Sequence, residues 1–124
     1  MHSWFSGNGH PVEYTEMIEI IEGHHSADGT VYIGSDTQPH RGGCIMSSAI
    51  VLHGAYNQRG GKYFISREVI TSKTMVFLAT RILAEAERTI QIAQDVATLF
   101  PDVKMELHVD ISNTDKKTPT SNLA

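Results

Sequence analysis

Val103-Lys104-Met105-Glu106-Leu107-His108-Val109-Asp110-Ile111 alternates apolar and polar residues without a break. That is the pattern of a β-strand with one face against a core. It follows a stretch of different period. Between Thr74 and Phe100, Met75, Leu78, Ile82, Ala86, Ala93 and Val96 recur at helical spacing, and Ala79, Leu83 and Ile90 widen the same face. Pro101-Asp102 separates the two. A strand reached from a sheet through a long helix lies parallel to an earlier strand by a right-handed crossover. The fold class therefore turns on what precedes Thr74.

Three strands precede it. Asp28-Gly29 is a turn pair, and Thr30-Val31-Tyr32-Ile33-Gly34-Ser35-Asp36 is a β-rich run. Pro39, Gly42 and Gly43 mark a loop, and Cys44 to His53 is a long run rich in Ile, Val, Ala and Ser. Asn57-Gln58-Arg59-Gly60-Gly61 supplies turn chemistry before a third strand from Lys62 to Thr71. Connections this short make an antiparallel meander. Its other side being occupied, the fourth strand is expected beside the first. The expected fold is α/β: a three-strand antiparallel meander, a long crossover helix and a parallel fourth strand.

The rest of the chain is read as flanking structure in a single domain over residues 1–124. Residues 1–10 are polar around Gly7-Asn8-Gly9 and read as a loose lead-in. A helix is expected over 11–23. Pro11 suits the first helical position, Glu13 and Glu16 suit the positive end of the helix dipole, and Gly23 closes it. Tyr14, Met17, Ile18 and Ile21 form its apolar face. The core spans 30–111, and 112–124 is a polar tail.

Composition narrows the function. With 40% hydrophobic residues the 124-residue chain can build a core. Ten Lys and Arg against 14 Asp and Glu give a formal charge of −4, which argues against a general nucleic-acid coat held by phosphate neutralisation. A carboxylate-held metal site acting on nucleic acid remains compatible with that charge. The single cysteine removes internal disulfides and multi-cysteine zinc motifs. Seven histidines include no His-x-x-x-His pair. Met-His-Ser-Trp-Phe does not open a signal peptide, and no apolar run approaches the ~18 residues of a membrane span. A cytoplasmic protein without membrane contact is the expectation.

Three acids are singled out by position. Asp36 ends the first strand and Asp110 the fourth; on parallel neighbours about 4.8 Å apart both would emerge at one edge. Glu85 is expected at the margin of the long helix's apolar face, turned toward the sheet, while Glu87 points to solvent. Converging carboxylates need a cation, and oxygen ligands suit Mg²⁺ or Mn²⁺. Such ions support in-line phosphodiester hydrolysis. Each acid also has a plainer reading. Asp36 serves as a turn or cap residue, Glu85 as a surface acid paired with Arg81 or Arg88, and Asp110 as an Asx turn. Gln38 and His40, in the loop after Asp36, are candidates to touch substrate. Lys62, Arg67 and Lys73 form a modest basic patch, whose plainer reading is charge guarding strand edges. Cys44 reads as a small core residue.

Ile33-Gly34-Ser35-Asp36-Thr37-Gln38 followed by His40 resembles the Ile-Gly-Thr-Asp-Ser-Gln…His signature of predicted ribonuclease H-like nucleases of the YkuK type. Arg81-Ile82-Leu83-Ala84-Glu85 resembles that family's helical Arg-Leu-x-x-Glu segment, and His108-Val109-Asp110-Ile111 its His-x-Asp-hydrophobic strand end. Ser121-Asn122-Leu123 looks like the start of its next helix. The resemblance implies a ribonuclease H-like fold in which Asp36, Glu85 and Asp110 hold divalent metal. RNA, an RNA–DNA hybrid or DNA would be the substrate. Such domains continue with a helix, a fifth strand and a final helix. Only 13 residues follow Ile111, so a domain lacking its C-terminal part is expected. The apolar surface so exposed would favour a homo-oligomer. The alternative to an enzyme is a non-catalytic nucleic-acid-binding or self-assembling module of the same fold.

Overall fold

A computed structural model describes residues 3–54 and 61–109. The described elements run in the order β1 (Trp4–Ser6), β2 (Pro11–Val12), α1 (Tyr14–Ser26), β3 (Thr30–His40), β4 (Gly43–His53), β5 (Gly61–Thr71), α2 (Leu78–Leu99) and β6 (Lys104–His108). The strands form one mixed sheet in the order β2-β1-β5-β4-β3-β6. β3, β4 and β5 pair antiparallel, as a meander requires. β6 pairs parallel to β3, with Thr30 opposite Lys104 and Gly34 opposite His108. The expected α/β architecture and the side on which the crossover strand docks are both observed.

The N-terminal segment departs from expectation. Residues 1–10 are not a loose lead-in: Trp4–Ser6 is a strand that pairs with β2 and with Phe64 and Ile65 of β5. Trp4 is only 6% exposed and joins the core with Met17, Ile21, Ile50 and Phe64. A single indole anchors a stretch in which Met1 and Phe5 are the only other apolar residues, so hydrophobic periodicity had nothing to detect. Pro11 lies in β2 and α1 begins at Tyr14, so the helix over 11–23 is displaced to 14–26. Gly23 falls inside it, where no neighbour would obstruct a Cβ. The chain leaves α1 through Ala27 and Asp28, the latter at φ 64°. We expect Trp4→Ala to cost about 3–5 kcal/mol, the range for emptying an aromatic core site. Urea unfolding would show a lower midpoint; an unchanged midpoint would mean that β1 contributes nothing to the core.

β3 also runs further than expected. Gln38, Pro39 and His40 belong to the strand and pair with Ile45, Cys44 and Gly43. Proline is tolerated because β6 has ended by then: among the described residues, this part of β3 has a neighbour on one side only. Arg41 and Gly42 alone make the turn, with Gly42 at φ 65°. Gly43 admits no side chain, since a Cβ there would lie 1.8 Å from the Ile70 carbonyl oxygen.

Both helices cover one face of the sheet. Val31, Ile33, Ile50, Leu52 and Phe64 point to that face and pack with Ile21 of α1 and Ile92 and Val96 of α2. Burying a side chain of this kind stabilises by roughly 1.5–3 kcal/mol. Lys104 closes the end of the fold by an ion pair with Asp28 at 2.7 Å. Among the described residues no helix is long and apolar enough to cross a membrane.

The long helix is one turn shorter than its apolar period, because Lys73–Val76 is a separate 3₁₀ turn. Its buried stripe is Glu85, Thr89, Ile92, Ala93 and Val96. Leu83 and Ile90, expected to widen the apolar face, are 64% and 46% exposed. The sheet explains the rotation. Ser35, Ser48 and Ser66 stand opposite one another on three adjacent strands and are all buried. Glu85 finds two donors in Thr37 of β3, which leucine could not use.

Candidate active site

Strand alternation sends consecutive side chains to opposite faces, and it sorts the candidate residues. Ser35 is buried on the helix-covered face, where its hydroxyl shares a 2.8 Å hydrogen bond with that of Ser48. Thr37 shares this face. Asp36, Gln38 and His40 share the other face and are exposed.

Glu85 is 6% exposed and is the first residue of the buried stripe, rather than lying at the margin expected for it. One carboxylate oxygen, Oε2, accepts the Thr37 backbone N–H at 2.8 Å and the Thr37 hydroxyl at 2.5 Å. Covalent geometry places the Thr37 nitrogen about 2.4 Å from the Asp36 Cα. The Glu85 oxygen is therefore within about 5 Å of the Asp36 Cα. The Glu85 carboxylate thus reaches the backbone beside an acid 49 positions away, whose own side chain lies on the other face of the sheet. Donation from an N–H and an O–H favours the ionised carboxylate in a site where burial alone would oppose it.

The arginines flanking Glu85 have other roles in view. Arg88 pairs with Glu68 of β5 at 2.5 Å. Arg81 donates through Nη1 to the carbonyls of Met75 and Val76, at 3.0 and 3.1 Å, and so ties the 3₁₀ turn to α2. Cys44 is fully buried, as expected of a core residue. Burial pushes its thiol pKa up, Glu85 and Glu68 push the same way, and Arg81 opposes them. Charge of both signs thus surrounds the Glu85 end of α2.

On the open face, a hollow of about 600 Å³ is lined by Gly34, Asp36, Ser47, Ala49, Ile65, His108 and Val109, with the Ser35 and Ser48 backbone strands as part of its floor. His108 enters it from β6 and meets Tyr32 edge to face at 5.8 Å. The Asp36 carboxylate makes no hydrogen bond or ion pair with the described residues. Asp110 lies outside the described residues, as do Ile111, the tail over 112–124 and the Ser121-Asn122-Leu123 segment. Among the described residues, no three His, Cys, Asp or Glu side chains gather closely enough to hold a metal. The donor chemistry still suits a hard cation: an exposed aspartate and a buried glutamate offer oxygen alone, as Mg²⁺ and Mn²⁺ prefer.

Thr37 was not singled out from the sequence, although a hydroxyl residue directly after a strand aspartate must face the opposite side. The expected basic patch is divided. Arg67 shares the open face with Asp36 through the register Asp36–Ser47–Arg67. Lys62 has the parity of buried Phe64, and Lys73 lies in the 3₁₀ turn.

Searches of curated proteins and of solved structures found no match. A family model described as Ribonuclease H-like matches residues 13–123. That span takes in both helices, the meander and the crossover strand, and with it the stretches that carry Asp36, Glu85 and Asp110. The chain belongs to the ribonuclease H-like family.

Proposed function

We propose that this protein is a metal-dependent nuclease that hydrolyses phosphodiester bonds in RNA, an RNA–DNA hybrid or DNA, with Asp36, Glu85 and Asp110 holding Mg²⁺ or Mn²⁺. The observation that carries the reading is the Glu85 carboxylate bonded to Thr37, beside the backbone of Asp36. A buried acid at that point of a helix is costly, and a ligand role accounts for its placement there. The strand register supports the third member. β3 and β6 pair at a constant offset of 74 positions from Thr30–Lys104 to Gly34–His108, and Asp36 and Asp110 differ by the same 74.

The roles divide by environment. Glu85 is fixed in one rotamer by the two Thr37 donors, and it supplies a preorganised negative oxygen. Asp36, on the exposed side of the same peptide, faces the substrate. Divalent ions bound between such carboxylates would generate the nucleophile from water and neutralise charge on the leaving oxygen. Gln38 and His40 follow Asp36 on the same face at steps of about 6.6 Å, and we assign them to substrate contacts along the strand. The purified protein should cut at least one of labelled RNA, hybrid or DNA in Mg²⁺ or Mn²⁺ and should stop in EDTA. No cleavage of any of the three, or cleavage indifferent to EDTA, would remove the proposal.

The depth of Glu85 also favours a second reading, a nucleic-acid-binding or self-assembling module in which this acid only pins α2 to β3. The exposed Tyr63 and Val69 are further grounds for it. Binding of nucleic acid, or self-association seen by light scattering, together with no turnover in Mn²⁺ would select it.

A further inference from the structure

A second hollow, of about 460 Å³, adjoins the first on the open face and shares Ile65 with it. Its walls are Phe5, Tyr63 and Arg67, and its rim is the Ser6–Gly9 turn. Phe5 and Tyr63 are 37% and 46% exposed, although both are large and apolar. The Tyr63 ring is held in place: its hydroxyl donates to the Gly7 carbonyl at 3.3 Å, and a Cβ on Gly7 would press on the ring at 2.8 Å. Phe5 stands opposite Ile65 in the β1–β5 pairing, between Tyr63 and Arg67 along β5. Arg67 is exposed and makes no ion pair with the described residues. Its cross-strand neighbour on this face is Ser47, and beyond Ser47 lies Asp36. Two strand spacings put the Arg67 and Asp36 backbones about 10 Å apart.

We propose that this hollow is a subsite for a single-stranded nucleotide next to the bond broken at Asp36. Tyr63 and Phe5 stack the base, and Arg67 takes the phosphate on the Asp36 side. The inference rests on the nuclease reading for what happens at Asp36, but binding in the hollow does not require it. Three features select an unpaired strand over a duplex and over a protein. Two aromatic rings line the hollow, and paired bases present only their edges to such rings. The cation at the edge is a guanidinium, whose fork matches phosphate oxygens. The row from Arg67 to Asp36 crosses the small residue Ser47, which leaves room for a backbone.

The test is fluorescence anisotropy with labelled ten-nucleotide RNA and DNA strands and blunt duplexes of equal length, in EDTA so that no cleavage occurs. Single strands should bind the wild type, and Tyr63→Leu and Arg67→Ala should each weaken binding about tenfold, the scale of one lost stack or phosphate contact. Tyr63→Phe keeps the ring and should bind as wild type, which separates stacking from the Gly7 hydrogen bond. Circular dichroism melts confirm that each variant is folded. Binding that is indifferent to Tyr63→Leu, or a duplex that binds more tightly and loses as much, would overturn the proposal. So would a wild-type dimer that Tyr63→Leu dissociates, since the hollow would then be an interface between copies. If single strands bind as stated but no metal yields cleavage, the subsite stands and the nuclease reading fails. Single-strand cleavage untouched by Tyr63→Leu would instead sustain the nuclease reading and remove the subsite.

Discussion

Asp36→Asn is expected to lower Mg²⁺- or Mn²⁺-dependent cleavage by a factor of about 10³ or more, the scale of losing a charged group that acts directly on the reacting centre. The fold should not notice. Asp36 is exposed, and its carboxylate touches no partner among the described residues, so asparagine fits the same rotamer and breaks no bond. Surface changes of this kind stay within about 0.5 kcal/mol, and the melting temperature should move by no more than about 3 °C. Because Asn keeps one oxygen, any loss comes from the charge. Preparing the variant in parallel with the wild type also controls for contaminating nuclease. Cleavage by Asp36→Asn at the wild-type rate would show that this aspartate is a strand residue without a chemical role.

Glu85 should separate stability from chemistry. Glu85→Gln keeps an amide oxygen that can accept both Thr37 donors, so the variant should melt within a few degrees of wild type. It loses the charge, and cleavage should fall by about 10² or more. Isothermal titration should show the parallel loss of Mn²⁺ affinity. Glu85→Ala removes the acceptor altogether. The Thr37 N–H and hydroxyl then lose their partner and a cavity opens in the α2 stripe, at a cost of about 2–4 kcal/mol. A thermal melt lowered by roughly 10 °C would register it. The informative contrast is a stable Gln variant without activity beside an unstable Ala variant. If Glu85→Gln cleaves as wild type while Glu85→Ala unfolds, Glu85 is a structural pin and no ligand.

Asp36 and Glu85 lie on different faces of one peptide. Asp36 looks outward from β3 and Glu85 reaches it from behind through Thr37. A single exposed site built by simple convergence would have made both acids equally accessible. Here one is open to solvent, while the other is set by packing, the arrangement that a preorganised site would require.

Much of this was legible in the order of residues alone. The strict alternation from Val103, the helical period before it and the β-rich run from Thr30 decided the α/β class, because local backbone geometry imposes periods of two and 3.6 on any chain with one buried face. The crossover rule and the occupied side of the meander put the fourth strand beside β3. Asp36 was legible as the acid ending the first strand, although that strand runs on to His40. What residue order could not decide was anything set by a distant partner. Trp4 is buried because β5 lies beside it, not because its neighbours are apolar. Gln38 to His40 extend as strand because β4 pairs with them across a two-residue turn. Packing of α2 on the sheet turns Glu85 inward, onto Thr37, and leaves Leu83 and Ile90 outward. Residues without a local period acquire their environment only when elements pack, and the depth of Glu85, its hold on Thr37 and the company Arg67 keeps with Asp36 are all of that kind.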